Sequence, residues 1–443
     1  MAIKVDGAVS GIDTSALIQA ILAGQSAQKK TVTDRISLFE GRVTKINELV
    51  GKIGTMNDAL EELETITDFR SFSATNAEND AFSVELDGDA VAGSYDIQVL
   101  SLASSETRAS TAETSKTAAL GRSGTLSFTY DGTTTNLTVG AGDSLEDVAS
   151  MINDVDGVSA YVMNTTGGFR LVVQGQDSGA DYGVTFDESG LSGGTFGFTA
   201  PGAVIRAATD AQVSINGLVV ESSTNRVTDP VPGMTLDLEA LSTSATTVTV
   251  SSDPDAIEEK VQSFVTAYND VMNYIRVQSA FNAEAGIRGP FVGESAVQRV
   301  TGGLAEVLST RFAALGQDYD SLSLIGIETD SEGKLSIDSD RFQEVLEAEP
   351  DQVANLFTGT GGFVQSMLAK ADVYVDSTDG SLNNRTDTLE DRIADLEDRA
   401  DAMDRRYSRT EDRLRRQFTA LESLMSGLNS TSSYLTSLLG SNS

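Results

Sequence analysis

The chain has 443 residues, of which 40% are hydrophobic, and its formal net charge at pH 7 is −35. Single domains usually hold about 100–200 residues, so we expect about three or four domains. A strongly negative chain repels phosphate backbones and anionic lipid headgroups, which argues against nucleic acid and membranes as partners.

The residue types that carry most protein catalysis are missing from the sequence, which contains no Cys, no His and no Trp. This excludes Ser-His-Asp triads, cysteine nucleophiles, thiolate zinc sites and imidazole acid–base chemistry. A catalytic pair of carboxylates, as in glycosidases, is not excluded by the composition. However, the spacing of the acidic residues does not predict such a pair. We therefore predict that the protein is not an enzyme and holds no cofactor and no metal.

The acidic stretch Glu328–Gly333 resembles the start of a calcium-binding loop in its spacing. The position that should supply a bidentate Glu is Ser339, and Leu335–Ile337 alternates like a strand. The stretch therefore predicts an ordinary hairpin rather than a calcium site.

The sequence shows no conventional targeting segment. No apolar run approaches the roughly 20 residues of a membrane helix, and the start MAIKVDGAVSG lacks the apolar core of a secretory signal. We expect export by another route, and the lack of Cys suits a chain that travels unfolded into an oxidising exterior.

The N-terminal region has the apolar periodicity of helices. Asp13 or Thr14 can cap a first helix with Leu17, Ile18, Ile21 and Leu22 on one stripe. A longer helix follows at the coiled-coil period, with Ile36, Phe39, Val43, Ile46, Val50 and Ile53. Each glycine costs a helix about 1 kcal/mol relative to Ala, so breaks or bends are expected at Gly41, Gly51 and Gly54.

The C-terminal region predicts a long coiled-coil helix. From Leu382 to Leu438 it would extend about 85 Å, too long for the core of a small globule. Four acid-before-base pairs at four-residue spacing are expected on its solvated face: Asp395 with Arg399, Asp401 with Arg405, Glu411 with Arg415, and Asp412 with Arg416. Its apolar seam contains Leu389, Ile393, Leu396, Ala400, Met403, Tyr407, Thr410, Leu414, Gln417, Leu421, Leu424 and Leu428. This seam needs a partner, which is either the N-terminal helix or another subunit.

The middle of the chain, from about residue 77 to 252, is rich in alternating strand patterns. Asp131-Gly132 and Asn216-Gly217 predict tight hairpin turns. Ser144 with Asp147 predicts a capped short helix between two hairpins. The Gly-rich run from about Ser189 to Gly202 predicts a flexible loop or domain link.

Helical patterns return after the β-rich region. Asp253-Pro254 marks one start, Ser295 with Gln298 predicts a capping box at a second, and Glu349-Pro350 marks a third. The fold class predicted is therefore multidomain α+β, with terminal coiled-coil helices, a mixed helical/β domain and two inserted antiparallel β-rich domains.

Several segments together resemble one protein family. SGIDTSALI, from Ser10 to Ile18, resembles the N-terminal signature of the flagellar filament cap family, also called hook-associated protein 2 or FliD. Four further segments resemble the family in the same order: GSYDIQVLSLA (93–103), VPGMTLDLEAL (231–241), FVTAYNDVMNYI (264–275) and LIGIETDSEGKLSIDSDRF (324–342). Residues 144–173 resemble more loosely a hairpin-and-helix module of flagellins and hook-associated proteins.

The resemblance implies a structural cap at the distal end of the bacterial flagellar filament, outside the cell. It implies a ring-like homo-oligomer, a pentamer or a hexamer, that promotes flagellin folding and polymerisation, prevents flagellin leakage and so supports filament elongation and motility. The implied partners are other copies of the chain, flagellin, hook–filament junction proteins, the flagellar type III export apparatus and an export chaperone.

The expected domain division is nested. It comprises residues 1–40 as an N-terminal coiled-coil segment, 41–76 with 253–376 as a helical/mixed leg domain, 77–110 with 205–252 as a β-rich domain, 111–204 as an inserted β-rich domain with a hairpin–helix–hairpin unit, and 377–443 as a C-terminal coiled-coil segment.

The candidate assembly and flagellin-contact residues lie on the two helical seams. Their role is packing rather than catalysis, and they either join the two ends of one chain or dock to flagellin and neighbouring subunits. They are Ile36, Phe39, Val43, Ile46, Leu389, Ile393, Leu396, Leu414, Leu421 and Leu424.

Other classes of protein fit the sequence less well. A surface adhesin with β-rich binding domains on a helical stalk is the main alternative, and a conventional secretory signal or cell-wall anchor would favour it. An extracellular glycan hydrolase would need a buried acid pair. Flagellin or a junction protein would need flagellin-like ends, which SGIDT does not resemble.

Overall fold

The computed structural model describes residues 13–282 and 287–440, so Ser10–Ile12 of the N-terminal signature lie outside the described residues. Two compact units emerge: a helical unit of residues up to Glu64 with Lys260 onward, and a β-rich unit, Thr65–Glu259. The fold is multidomain α+β with antiparallel strand pairing, which confirms the predicted class.

The helices, in chain order, are α1 (Thr14–Glu61), α2 (Ile66–Phe69), α3 (Leu145–Asn153), α4 (Pro254–Gln278), α5 (Ser295–Leu308), α6 (Ser339–Ala348), α7 (Pro350–Thr358), α8 (Phe363–Val375) and α9 (Ser381–Gly440). The long C-terminal helix is confirmed. None of the helices in the described ranges is both long and apolar enough to cross a bilayer.

The strands, in chain order, are β1 (Phe72–Thr75), β2 (Phe82–Leu86), β3 (Gly93–Ser101), β4 (Thr107–Ala109), β5 (Ser123–Tyr130), β6 (Thr133–Val139), β7 (Val158–Thr165), β8 (Gly168–Gly175), β9 (Thr185–Asp187), β10 (Leu191–Ser192), β11 (Val204–Arg206), β12 (Ala211–Ile215), β13 (Leu218–Ser222), β14 (Arg226–Thr228), β15 (Met234–Leu238), β16 (Thr246–Ser252), β17 (Phe281–Asn282), β18 (Ile287–Arg288), β19 (Ile327–Thr329) and β20 (Leu335–Ile337). The expected hairpin at residues 328–337 is confirmed as the pair β19–β20.

One α-helix begins at Thr14 and continues without interruption to Glu61, where the sequence predicts two helices and glycine breaks. Asp13 caps it by accepting a hydrogen bond from the Ala16 amide at 2.8 Å. A Cβ added at Gly41, Gly51 or Gly54 would meet open space, so none of these glycines serves a close approach. The expectation of breaks was wrong because tertiary packing of the helix outweighs about 1 kcal/mol of propensity per glycine.

The β-rich unit contains two hydrophobic cores. One lies between a five-stranded sheet, in the order β1-β16-β3-β12-β13, and the three strands β14-β15-β2. Its β12–β13 turn is the predicted Asn216-Gly217, where both residues have positive φ, as a type I′ turn requires.

The second core contains the predicted hairpin–helix–hairpin unit. Strands β5–β6 and β7–β8 flank α3, and the Ser144–Asp147 capping box is present. Leu145, Val148 and Ile152 of α3 are buried against the strands of this core. The sequence pattern therefore described this module correctly at the level of individual turns and caps.

The Gly-rich run after Asp187 is an ordered part of that core rather than a flexible link. Phe196 and Phe198 are fully buried, and the Phe198 ring stacks on Phe186 with centroids 4.3 Å apart. The buried Glu188 carboxylate accepts hydrogen bonds from the amides of Phe196 at 2.6 Å and Gly197 at 3.1 Å. Composition suggested flexibility, but the aromatic side chains and one carboxylate fix the loop.

Candidate assembly surface along the terminal helices

Helices α1 and α9 pack side by side and run antiparallel in the helical unit. Lys29 forms an ion pair with Asp404 at 2.7 Å, and Thr386 Oγ1 lies 3.5 Å from Asn47 Oδ1. Residue numbers rise along one helix as they fall along the other, which defines the antiparallel register. Within this chain, the partner of the C-terminal seam is thus the N-terminal helix.

The ten seam residues predicted from the sequence differ in burial according to their position along the pair. Ile46, Leu389, Ile36 and Leu396 are buried, whereas Leu421 is 45% and Leu424 65% exposed. Phe39, Val43, Ile393 and Leu414 are half-buried. The structure therefore brings the proximal candidates together and leaves the two distal ones uncovered by the residues it describes.

The buried face of α1 also shifts along its length. Leu49, Met56 and Leu60 are fully buried there, although the coiled-coil period predicts none of them on the seam. In this part of α1 the neighbours include α8 as well as α9, so a wider face is covered than a two-helix seam requires. In the first helical turns, Ile18 and Leu22 are buried, whereas Leu17 and Ile21 of the predicted stripe are exposed.

The distal end of α9 carries an exposed apolar stripe that continues the seam. Leu414, Leu421, Leu428 and Leu435 follow one another at seven-residue steps, the spacing that keeps side chains on one face of a coiled-coil helix. Leu421, Leu428 and Leu435 are exposed, as are Leu424 and Met425 beside them. We call Leu421, Leu424, Met425, Leu428 and Leu435 the distal stripe.

A buried ion-pair cluster joins three helices near the proximal end of the pair. The Glu294 side chain, 4% exposed, accepts a hydrogen bond from Arg42 Nη1 of α1 at 2.7 Å. From α9, Arg385 donates to the same carboxylate through Nε at 2.8 Å and Nη2 at 3.0 Å. One carboxylate thus binds guanidinium groups from both terminal helices, an arrangement that specifies their register.

This cluster is not predicted from the sequence, and the predicted cap of α5 is wrong although the helix begins at Ser295 as expected. The predicted capping box of Ser295 with Gln298 is absent, since Glu294 is the N-cap residue and its side chain makes no capping hydrogen bond. The carboxylate of Glu294 instead accepts hydrogen bonds from the two arginines. No local pattern signals this, because the arginines lie 252 and 91 residues away in sequence.

Tyr274 forms a second polar contact with α1. Its hydroxyl donates to Glu48 Oε2 at 2.6 Å, and Lys45 Nζ lies 2.7 Å from Glu48 Oε1. Burial, and next the hydrogen bond to Glu48, raise the pKa of Tyr274. The hydrogen bonds from Lys45 and then Tyr274 lower the pKa of Glu48, so this contact is present at neutral pH.

Alkaline pH is expected to destabilise the helical unit through its buried tyrosines. Burial raises the pKa of Tyr268 to about 12, and its hydroxyl has no hydrogen-bond partner among the described residues. An unfolded tyrosine ionises near pH 10, so the contribution of Tyr268 to stability is constant below about pH 10 and falls as pH rises towards about 12. In Tyr268→Phe this loss should be smaller and stability at pH 7 unchanged or higher, as measured by urea unfolding followed by circular dichroism.

Equal alkaline slopes for the wild type and Tyr268→Phe would contradict that prediction. Tyr161→Phe is the matched control, since Tyr161 is exposed and its replacement should leave the slope unchanged.

Of the four ion pairs expected along α9, only one is present among the described residues. Arg415 donates to Glu411 at 2.7 Å, whereas Asp395–Arg399, Asp401–Arg405 and Asp412–Arg416 are not joined. Exposed side chains at this spacing gain only tenths of a kcal/mol from pairing. This gain is too small to hold every such pair in contact. In the described ranges, no group of three or more acidic side chains is arranged to hold a metal.

The chain matches the sequence models of a known protein family at both of its ends. The model of the flagellar hook-associated protein 2 C-terminus matches residues 208–430, half of the chain, and the model of its N-terminus matches residues 10–106. The chain belongs to the flagellar hook-associated protein 2 family. A third model, the flagellin hook IN motif, matches residues 125–175 and confirms the looser resemblance of the hairpin–helix–hairpin module.

Members of the hook-associated protein 2 family resemble the chain along its whole length. The Escherichia coli K12 protein is 29% identical over 99% of this chain and 98% of its own length. The Aeromonas caviae protein is 28% identical with the same coverage. The crystal structure of the D1-D2-D3 domains of the E. coli flagellar cap protein FliD matches with a TM-score of 0.65 and 26% identity, covering 78% of this chain and 99% of that one.

Membership in the hook-associated protein 2 family decides the class of function. The chain is a structural protein of the bacterial flagellum, a cap of the filament, and not an enzyme. Its place is the filament tip. None of these similarities favours the surface-adhesin alternative.

Proposed function

We propose that the chain caps the filament as a ring-like homo-oligomer and that the α1–α9 helix pair contacts flagellin. The distal stripe carries this proposal. An exposed row of leucines on a helix that continues beyond its buried seam is an incomplete coiled-coil surface, and such a surface gains stability by burying its apolar face. Flagellin arriving beneath a cap is the partner that would cover it.

Contact through the distal stripe would promote folding of the arriving flagellin. A half-exposed seam offers a newly exported chain a helical surface to pack against without committing it to a permanent complex. Flagellin held in this way would polymerise onto the filament rather than leak into the medium. The candidate residues with this role are Leu414, Leu421 and Leu424.

The β-rich unit supplies a surface for contact between copies. Strand β13 lies at the edge of the five-stranded sheet, and Leu218 in it is 75% exposed. The neighbouring Val219 is exposed as well. Edge strands with uncovered apolar side chains favour pairing with another chain, and a second copy in a pentameric or hexameric ring would provide that cover.

The proposed route to the filament tip is the flagellar type III export apparatus, with an export chaperone before export and the hook–filament junction proteins at the first assembly step. The absence of Cys from the sequence supports this route, since an unfolded chain then forms no stray disulfides outside the cell. We also propose the nested division of the chain into the five segments predicted from the sequence.

Gene deletion in the flagellated host tests the proposed function. We expect the deletion strain to lose filaments and to leak unpolymerised flagellin, measured by electron microscopy and by flagellin in the culture medium. The full chain should restore both, whereas a chain truncated after Asp376, which lacks α9, should restore neither. Filaments of normal length without leakage in the deletion strain would overturn the proposal and favour the adhesin.

A further inference from the structure

The outer face of α9, opposite its seam, carries a line of charged side chains in two blocks. Steps of three and four residues keep its members on one helix face. We call it the two-block line, and it consists of Asp387, Asp391, Asp395, Asp398, Ala402, Arg405, Arg409, Arg413 and Arg416. An acidic block is followed by a basic block, with one small residue between them.

Every side chain of the two-block line is exposed. Within residues 13–282 and 287–440, none of its carboxylates or guanidinium groups forms an ion pair. Arg409 Nε donates to the backbone carbonyl of Arg405 at 3.0 Å, which leaves the rest of that guanidinium group to solvent. The line is therefore a charged helix face on which each block has no partner of opposite sign.

The two-block line is complementary to itself when its direction is reversed. If a second α9 lies antiparallel with the two Ala402 residues facing each other, the opposed residues are Asp387 with Arg416, Asp391 with Arg413, Asp395 with Arg409, and Asp398 with Arg405. The twofold axis repeats each of these pairs, so opposite charges face each other along about 44 Å of helix. A parallel arrangement in register would oppose like charges instead.

We propose that two copies of this chain associate through the two-block line, with their α9 helices antiparallel about Ala402. A second copy is the occupant because the line carries both the basic block and its acidic complement at matching spacing, with Ala402 as its one apolar side chain. This contact is isologous and is separate from the ring contact proposed for strand β13.

The chemistry of the line determines how such a contact behaves. Exposed ion pairs are individually weak, and salt screens them over about 10 Å at 0.1 M ionic strength. Association therefore depends on many pairs acting together. It strengthens at low ionic strength, reverses at high ionic strength and is orientation-specific because only the antiparallel register matches the charges.

Charge-reversal variants of the full chain test the proposal by sedimentation velocity. Two variants make the line uniform in sign: an all-acidic line with Arg405→Glu, Arg409→Glu, Arg413→Glu and Arg416→Glu, and an all-basic line with Asp387→Lys, Asp391→Lys, Asp395→Lys and Asp398→Lys. We expect the wild type to pair at about 20 mM salt and to separate at about 500 mM. At low salt, the affinity of each variant for itself should be at least tenfold weaker than that of the wild type. An equimolar mixture of the two variants should regain the affinity of the wild type.

A matched control reverses charges of α9 outside the line. Glu390→Lys, Glu397→Lys and Asp401→Lys are exposed positions on its flank, and their replacement should leave pairing within twofold of the wild type. Circular dichroism verifies that all variants keep the same helix content, as expected for exposed positions. Ring assembly would change the sedimenting mass of every variant equally. Recovery of pairing in the mixture, compared with each variant alone, therefore still tests the contact.

Disulfide trapping tests the centre of the contact, because the natural chain has no cysteine. Ala402→Cys should form a cross-linked dimer at low salt but not at high salt, whereas Ser408→Cys, exposed on the flank, should not. Pairing that is insensitive to salt and to both reversed lines would overturn the proposal. So would a mixture that fails to pair, or association through these residues only when flagellin is added.

Discussion

Replacing Glu294 by Gln is expected to destabilise the helical unit by about 3–5 kcal/mol. The substitution removes the charge that, among the described residues, compensates Arg42 and Arg385, whose guanidinium groups both bind the buried carboxylate. Two partly buried cations are then left facing each other across a neutral amide. Urea unfolding, with hydrogen exchange of α1, α5 and α9 as the local probe, measures the loss.

Two further variants separate the buried cluster from ordinary surface pairing. Glu306→Gln breaks the exposed ion pair with Lys370, formed at 2.9 Å, and should cost less than about 1 kcal/mol. Replacing Arg42, Glu294 and Arg385 together by Met should be far less harmful than Glu294→Gln alone, because no uncompensated charge remains. The account of the cluster fails if Glu294→Gln costs no more than Glu306→Gln.

Leucines at the two ends of the α9 seam are expected to respond in opposite ways to truncation. Leu389→Ala empties a fully buried site and should cost about 2–5 kcal/mol in unfolding free energy. Leu424→Ala removes an exposed side chain and should change stability by no more than about 0.5 kcal/mol. Because Leu424 belongs to the proposed flagellin contact, we expect this stable variant to shorten filaments and increase flagellin leakage.

Both stability and filament length must be measured for Leu389→Ala and Leu424→Ala, so that the two variants can be compared. Val373→Ala is the matched control, since Val373 is exposed on α8 and lies outside the seam. It should change neither property. Normal filaments with Leu424→Ala and Leu421→Ala combined would remove the distal stripe from the proposed contact.

Local patterns were sufficient to predict many elements of the fold. Asn216-Gly217 predicts a type I′ hairpin turn because both positions tolerate positive φ, and the structure has it. Ser144 and Asp147 predict the start of α3 because their capping hydrogen bonds span three residues. Such features depend on neighbours in sequence, so sequence reasoning recovers them.

Features that depend on distant residues were not predictable in the same way. No local pattern marks Glu294, because its role depends on arginines of two other helices. The run around Phe196 and Phe198 looked flexible because of its glycines, yet the Glu188 carboxylate binds its amides. The seam positions were predictable as a set, but their graded burial depends on how far α1 and the packed helices extend along α9.

Photo-cross-linking at the filament tip tests the central claim that the distal stripe contacts flagellin. A photoreactive amino acid at Leu424 of the chain, expressed in the deletion strain, should give a covalent product with flagellin upon irradiation of growing filaments. The same group at Val373 should give none. Filaments of normal length with no flagellin product from position 424, or equal products from both positions, would contradict the claim.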